Sequence, residues 1–336
     1  MELNATPLRT SKSFNINNIE LNIDIPKNIK MFKNIELNKE VKQLEKNIVF
    51  KYGVGLDYKF SNHKIEIDSK DSDNINLIYN FDDENLNLIN QILINAYGNS
   101  SITIEYKSKT NKNCWHNGGI KLIVNENASV NVNIINFLNE NSYNFETIES
   151  ELHKNSKANY TIIDIGAKTS VSNYYSNIIE EKAKNNVKTI YLGDNTQVKD
   201  LNYIAELYGR KSYIDIDVQG ALLGKAKKSF KGTINFKKGC KKSKGNENEY
   251  CMMLSKDAKA IALPMLLCSE DDVEGNHSTA SGKVDDKVLF YIMTKGLNYK
   301  ETIKLLVKSN FSKILDNINN EEIRNEIIDE IDKKLG

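Results

Sequence analysis

Proline is nearly missing from this chain. Pro7, Pro26 and Pro264 are the only three in 336 residues, and no Pro- or Gly-rich stretch divides them. Few independent domains are therefore expected. Cysteine is scarce as well. Cys114, Cys240, Cys251 and Cys268 are too few for a disulfide framework in a chain this long, which points to a reducing compartment. No run approaches the roughly 18 apolar residues of a membrane helix. The opening "MELNATPLRTSKSF" has no apolar core of a secretory signal, so a cytoplasmic protein is expected. A net charge of +1 supplies no field to hold nucleic acid. Hydrophobic content of 40% and charged content of 27% belong to a globular protein with a sizeable core. The abundance of Asn, Ile and Lys reads as composition bias rather than function.

What the chain does have falls into three zones. The first, 1–75, is mixed: "NNIELNIDIP" alternates like a strand, and "NKEVKQLEKNIV" has the spacing of a short helix. The second, 76–284, is a series of short alternating runs, among them "SITIEY", "SVNVNIINF", "NYTIID", "KTIYLG", "SYIDIDVQG" and "GTINF". Each is bounded by turn residues. Val130, Val132 and Ile134 share one face of such a strand. Period 2 over this length predicts a mainly β body, and no helical segments alternate regularly with the strands. A sandwich and a parallel β-helix both fit this pattern. The third zone, 285–336, changes to helical period. Asp285 caps one helix and Gly296 follows it. Asn298 and Glu301 form a capping-box pair for a second helix, whose stripe is Ile303, Leu306, Val307, Phe311, Ile314 and Ile318. A third carries Ile323, Ile327, Ile331 and Leu335, with Glu321 and Glu322 at its N-terminus. These faces either pack on the β body or dock a partner.

Several motifs need weighing. "GALLGKAKK" (220–228) fails as a P-loop: three residues separate its glycines, and Ala226 stands where a magnesium-binding hydroxyl belongs. The nine lysines of 225–244 read as the solvated face of alternating strands. "CWHNGG" places Cys114 and His116 on one strand face, but two ligands do not make a structural zinc site. In "GCKKSKGNENEYC", Glu247 and Glu249 point one way if the segment is a strand, and Cys240 and Cys251 are taken as structural. "LLCSEDDVEGNH" (266–277) concentrates a thiol, four carboxylates and an imidazole. If 266–270 is a strand, Cys268 and Glu270 share a face. A Cys–His hydrolase is disfavoured, because four acids beside the thiol oppose its ionisation. Metal or cluster binding and a charged surface turn both remain open on residues alone.

The longer stretch "PMLLCSEDDVEGNHSTASGKVDDKVLFYIMTKGLNYKETIKLLVKSNF" (264–311) closely resembles the C-terminal signature of the SufB/SufD family of iron–sulfur cluster assembly proteins. "GALLGKAKKSFKGTINF" resembles the core that precedes it, and "LNATPLRTSKSFNINNIEL" the family's N-terminal part. The resemblance is strongest over the last 120 or so residues and loose over 76–200. It implies a right-handed parallel β-helix with a small N-terminal mixed segment (1–75), a β-helix core (76–284) and a C-terminal helical region (285–336). It implies a scaffold protein, not an enzyme, working with a SufC-type ABC ATPase. Leu289, Phe290, Tyr291, Gly296, Leu306 and Phe311 would lie at the ATPase docking surface. It further implies a homodimer joined along the β-helix edge, a transient iron–sulfur cluster, and a cysteine desulfurase or other sulfur donor.

There are departures from the family pattern. The place of the SufB thiol falls at Ala258, and the SufB Glu after the signature His is Ser278. In both places the chain looks more like SufD. Its length is similar to compact single-scaffold versions, in which one B-type protein pairs with the ATPase. On that resemblance Cys268, Glu270 and His277 are the expected cluster ligands, His277 by direct match and the other two by chemistry. A SufD-like accessory subunit binding no cluster alone is the nearest alternative. A β-helix carbohydrate-active enzyme is the more distant one.

Overall fold

The computed structural model describes residues 1–8, 16–27 and 29–336. The middle of the "LNATPLRTSKSFNINNIEL" stretch, 9–15, lies outside the described residues. In chain order the elements are β1 (Glu2–Leu3), β2 (Ile19–Glu20), β3 (Ile35–Leu37), β4 (Lys42–Gln43), β5 (His63–Ser69), β6 (Asn74–Phe81), β7 (Asn87–Ala96), β8 (Asn99–Ser108), β9 (Trp115–Val124), β10 (Ser129–Phe137), β11 (Tyr143–Leu152), β12 (Lys157–Asp164), β13 (Thr169–Ile178), β14 (Lys184–Gly193), β15 (Val198–Leu207), β16 (Tyr213–Leu222), β17 (Lys227–Phe236), β18 (Ser243–Met253), β19 (Lys259–Cys268), β20 (Val273–Lys283), α1 (Asp286–Met293), α2 (Tyr299–Leu315) and α3 (Glu321–Lys334).

From β5 onward, odd strands stack in one parallel sheet and even strands in another. The result is a β-solenoid of about 8 turns. Alternation now has a single meaning. One face of each strand points into the solenoid, where Ile104, Val132, Ile134, Ile162, Ile216 and their neighbours make one continuous core. The other face points out. On that outer face some of the asparagines have a structural use, correcting the reading of pure composition bias. Asn159 Nδ2 donates to Asn131 Oδ1 and Asn186 Nδ2 to Asn159 Oδ1, both at 2.8 Å, and Asn276 Nδ2 donates to Asn246 Oδ1 at 3.1 Å. Identical amides at identical register stack from coil to coil.

The two ends of the solenoid differ. At the N-terminal end, β3 pairs antiparallel with β6, and β4 pairs antiparallel with β5, closing both sheets. The helix expected in "NKEVKQLEKNIV" is therefore absent. Within that stretch only Lys42–Gln43 is strand, and that pair takes the free edge of the first coil rather than starting an isolated turn of helix. Lys39 and Lys42 pin the segment to Asp73 and Asp68. Within "NNIELNIDIP" only Ile19–Glu20 is strand, paired with β1. At the other end β19 and β20 are outermost, each paired on one side only among the described residues.

Two glycines of "GALLGKAKK" serve packing and turning. A Cβ at Gly220 would meet the Tyr191 ring at 1.8 Å, and Gly224 has φ +59° in the following turn. The lysine run is not all solvated, contrary to the expectation. Lys228 points into the solenoid and Lys231 under the N-terminal segment, both fully buried. Lys231 Nζ donates to Asp200 Oδ1 at 2.7 Å and to Asn4 O at 2.9 Å, while Asn4 Nδ2 donates to Asp200 Oδ1 at 2.6 Å. This buried latch fastens the first residues across the outer face of the odd-strand sheet.

The three helices end the described chain as the periodicity predicts. Asp285 caps α1, and Asn298 with Glu301 forms the reciprocal capping box of α2. Val307, Phe311, Ile314, Ile327 and Ile331 pack against Ile135, Ile163, Ile190 and Leu192 on the outer face of the even-strand sheet. No helix is long and apolar enough to cross a membrane, among the described residues. Phe311→Ala should cost about 3–5 kcal/mol by chemical denaturation, whereas Phe290→Ala, on a side chain 71% exposed, should stay within roughly 0.5 kcal/mol.

Candidate functional site

The last coil is unlike the others because, among the described residues, no further strand stacks on it. Strand β19, "KAIALPMLLC", is almost wholly apolar, yet Ile261 and Leu266 are 46% and 38% exposed. Pro264 sits within this strand, opposite Gly232. A proline is tolerated there because β19 is an edge. Cys268 is the last residue of β19 and the one exposed cysteine. It takes the same register position as Phe236 of the coil below, so it lies on the inward face.

The strand stops at Cys268, so Glu270 does not share its face and lies in the following turn. That turn is tightly organised. Cys268 Sγ donates to Glu270 O at 2.9 Å. The Glu270 carboxylate reaches down to the coil below, where Gly239 N donates to its Oε2 at 2.9 Å, and this bond holds its pKa below the usual carboxylate value. His277 lies on β20, exposed, in register with Glu247 of β18. The three expected ligands thus sit around the end of the open coil. They do not converge: among the described residues no three His, Cys, Asp or Glu side chains are gathered closely enough to hold a metal ion.

Below His277 the interior carries charged and polar groups that the sequence did not single out as functional. Glu247 and Glu249 do point one way, as the strand reading required, and the way is inward. Glu249 Oε1 accepts from Lys228 Nζ at 2.7 Å and from Tyr191 OH at 2.8 Å. Neither oxygen of Glu247 meets a donor. Its carboxylate lies over Gly232, where a Cβ would come within 2.2 Å of it. Burial, with the neighbouring Glu249 adding, pushes Glu247 up to about 8. Deeper along the axis Lys199 Nζ donates to Asp164 Oδ1 at 2.8 Å, and Asn136 Nδ2 to the same oxygen at 2.9 Å. Burial lowers the Lys199 pKa.

A second interior group lies near the N-terminal end. His116 is wholly buried, with Nδ1 2.6 Å from Asn144 Oδ1 and Nε2 2.9 Å from Asn90 Oδ1. Glu146 approaches its ring at 3.9 Å. Burial brings His116 down to about 4 and Glu146 up to about 8, so acid and base sit side by side uncharged. Cys114 is buried beside this group, Cys251 lies near Tyr191, and Cys240 is buried in the turn after β17. Burial raises all three thiol pKa values, Cys240 to about 11. Glycines beside the quoted motifs marked these buried acids in the sequence as well. Gly118 makes room for Glu146, as Gly232 does for Glu247.

The residues expected to meet an ATPase divide. Phe290 and Tyr291 are exposed on α1, Leu289 and Leu306 are half-buried against the helix core, and Gly296 has φ +99° in the turn after α1. Phe311 is inside that core and unavailable to a partner.

Residues 79–310 match the family described as "SUF system FeS cluster assembly, SufBD core domain". The chain is 23% identical over 265 residues to the iron–sulfur cluster assembly protein SufD of Bacillus subtilis, covering 78% of this chain and 61% of that protein. It is 21% identical over 194 residues to an iron–sulfur cluster assembly SufBD family protein of Staphylococcus epidermidis, covering 57% and 41%. A SufBD family protein of Mycobacterium tuberculosis is 23% identical over 193 residues, covering 57% and 23%. The chain therefore spans less than two thirds of each of these relatives.

The buried carboxylates generate a pH test. Folded Glu247 keeps its proton to about 8, while the unfolded chain releases it near 4.5. Its contribution is therefore full below the unfolded value and is lost as pH rises from there through about 8. Glu247→Gln stays neutral. In denaturant titrations its stability relative to the unaltered protein should rise between pH 5 and pH 8. A constant difference would mean that Glu247 titrates normally.

Proposed function

This chain belongs to the SufBD core family of iron–sulfur cluster assembly proteins, and from that premise we propose that it is a cytoplasmic scaffold on which a cluster is built. The observation that carries this reading is the open last coil. It presents an exposed thiol, Cys268, and an exposed imidazole, His277, around an uncapped end of the solenoid. Iron and sulfide are its cargo. Thiolate and imidazole are donors suited to iron, and the acids of the 270–274 turn suit a cationic cargo.

The described residues of one chain gather too few ligands, so the reading requires a second copy. Strand β19 is long, apolar and unpaired along one side, the kind of edge that joins another edge. A homodimer formed there would bring two sets of Cys268, Glu270 and His277 together. Glu270 would have to release Gly239 N to take part. The energy source lies in a partner, a SufC-type ABC ATPase. Phe290 and Tyr291 on α1 are the exposed aromatic side chains offered to it, of the kind enriched at binding hot spots. A sulfur donor such as a cysteine desulfurase completes the set. This chain is not itself an enzyme.

One observation favours a second reading. That Cys268, Glu270 and His277 do not converge among the described residues fits a SufD-like accessory subunit that binds no cluster alone. Anaerobic reconstitution with iron and sulfide separates the two. In the scaffold reading the unaltered protein takes up iron with visible absorbance, and Cys268→Ala loses most of it. If the unaltered protein takes up none, alone or with its ATPase, the accessory reading stands. Equal uptake in both proteins would place the cluster elsewhere.

A further inference from the structure

Cys240 lies directly beneath the turn that begins at the exposed thiol. Two contacts fix that relation. Cys268 Sγ donates to Glu270 O at 2.9 Å, which turns the thiol toward the 269–272 turn. Gly239 N, the residue before Cys240, donates to Glu270 Oε2 at 2.9 Å. Two more bonds, Ser269 N to Phe236 O at 2.8 Å and Lys242 N to Asp272 O at 2.6 Å, stack the two turns. Cys240 faces inward, packed in the solenoid core, and Cys268 holds the inward register position of the next coil. Adjacent coils are about 4.8 Å apart, but Cys268 is in register with Phe236 and Cys240 lies four residues further on, opposite the 269–272 turn, so joining the two thiols requires that turn to move. The covering turn belongs to the last coil, so nothing stacked above it resists adjustment. The Cys268 charge also reaches Cys240, where it adds to burial and to Glu270 in opposing ionisation.

We propose that Cys240 is a resolving thiol for Cys268, releasing as sulfide a sulfur atom that Cys268 carries as a persulfide. The inference rests on the proposed scaffold reading, with Cys268 as its exposed thiol, and adds that this thiol receives the sulfur. Cys240 gives its proton to water, and its thiolate attacks Cys268 Sγ. The bond between Sγ and the terminal sulfur breaks, and the terminal sulfur leaves as hydrosulfide. Cys240 is oxidised, the terminal sulfur is reduced, and a Cys240–Cys268 disulfide remains. A dithiol reductant from solution returns both thiols. The arrangement would make sulfide at the open coil, where the proposed cluster forms.

The test uses the metal-free full-length protein, so it is independent of iron uptake. The protein is treated with inorganic polysulfide, and separately with diamide as a direct thiol oxidant. Intact mass and peptide mapping then follow the sulfur, and free sulfide is assayed. The expected result is a Cys240–Cys268 disulfide from both treatments, with sulfide released in the first. Cys240→Ala and Cys240→Ser, checked for unchanged melting, should retain the persulfide on Cys268 and release sulfide at least tenfold more slowly. Release from either variant at the unaltered rate would overturn the proposal. So would absence of the disulfide after both treatments. If polysulfide does not load Cys268 but diamide still joins the pair, the role in sulfur release falls.

Discussion

The parallel ladder between coils is the constraint on which the rest of this structure depends. Each coil's backbone groups are satisfied only by the coils above and below, so a solenoid must be terminated or it will seek another edge. The chain terminates one end with its own segments: β3 and β4 turn antiparallel onto the first coil. It leaves β19 and β20 open. The helices do not cover that edge, because α2 and α3 bury their stripes on the outer face of the even-strand sheet. An apolar strand left open beside an exposed cysteine gives that end of the solenoid its chemistry.

The interior follows from the same stacking. Every side chain on an inward face lies at a fixed height in a narrow column, so an inward polar residue must find its partner in an adjacent coil or on the opposite sheet. Lys228 finds Glu249, and Lys199 finds Asp164. Glu247 and Glu146 find no cation, and burial keeps each protonated near neutral pH. Unpaired buried charge costs several kcal/mol, which neutral forms avoid. These groups lower stability relative to an apolar core, and their course toward His277 gives the open end a polar floor.

Much of this was legible in the sequence. Period 2 gave the strands, period 3.6 gave the helices, and Asp285 and Asn298 marked their starts. The choice between sandwich and solenoid was not legible from alternation, because both bury one face of each strand; the family resemblance carried it. Lys228 shares the inward face of Phe230 and Phe236, so alternation did mark it, whereas Lys231 was misread because alternation does not say whether an outer face is covered. The N-terminal latch that buries Lys231 comes from more than 200 residues away. The helix expected at 38–49 lost to edge pairing that no local pattern reveals. Glu270 left the Cys268 face because the strand stops one residue after the apolar run ends. Phe311 belonged to the helix stripe, and only packing distinguished it from the exposed Phe290.

The proposed homodimer makes the last coil a joining surface rather than a finished end. Hydrogen exchange read by mass spectrometry over peptides from 259–268 and 273–283 tests it most directly, compared at high and low protein concentration. If a second copy adds to this edge, these amides should be protected at high concentration and exchange faster on dilution, while those of β9 and β11 should not change. Rapid exchange at every concentration, from a chain that sediments as a monomer, would contradict it.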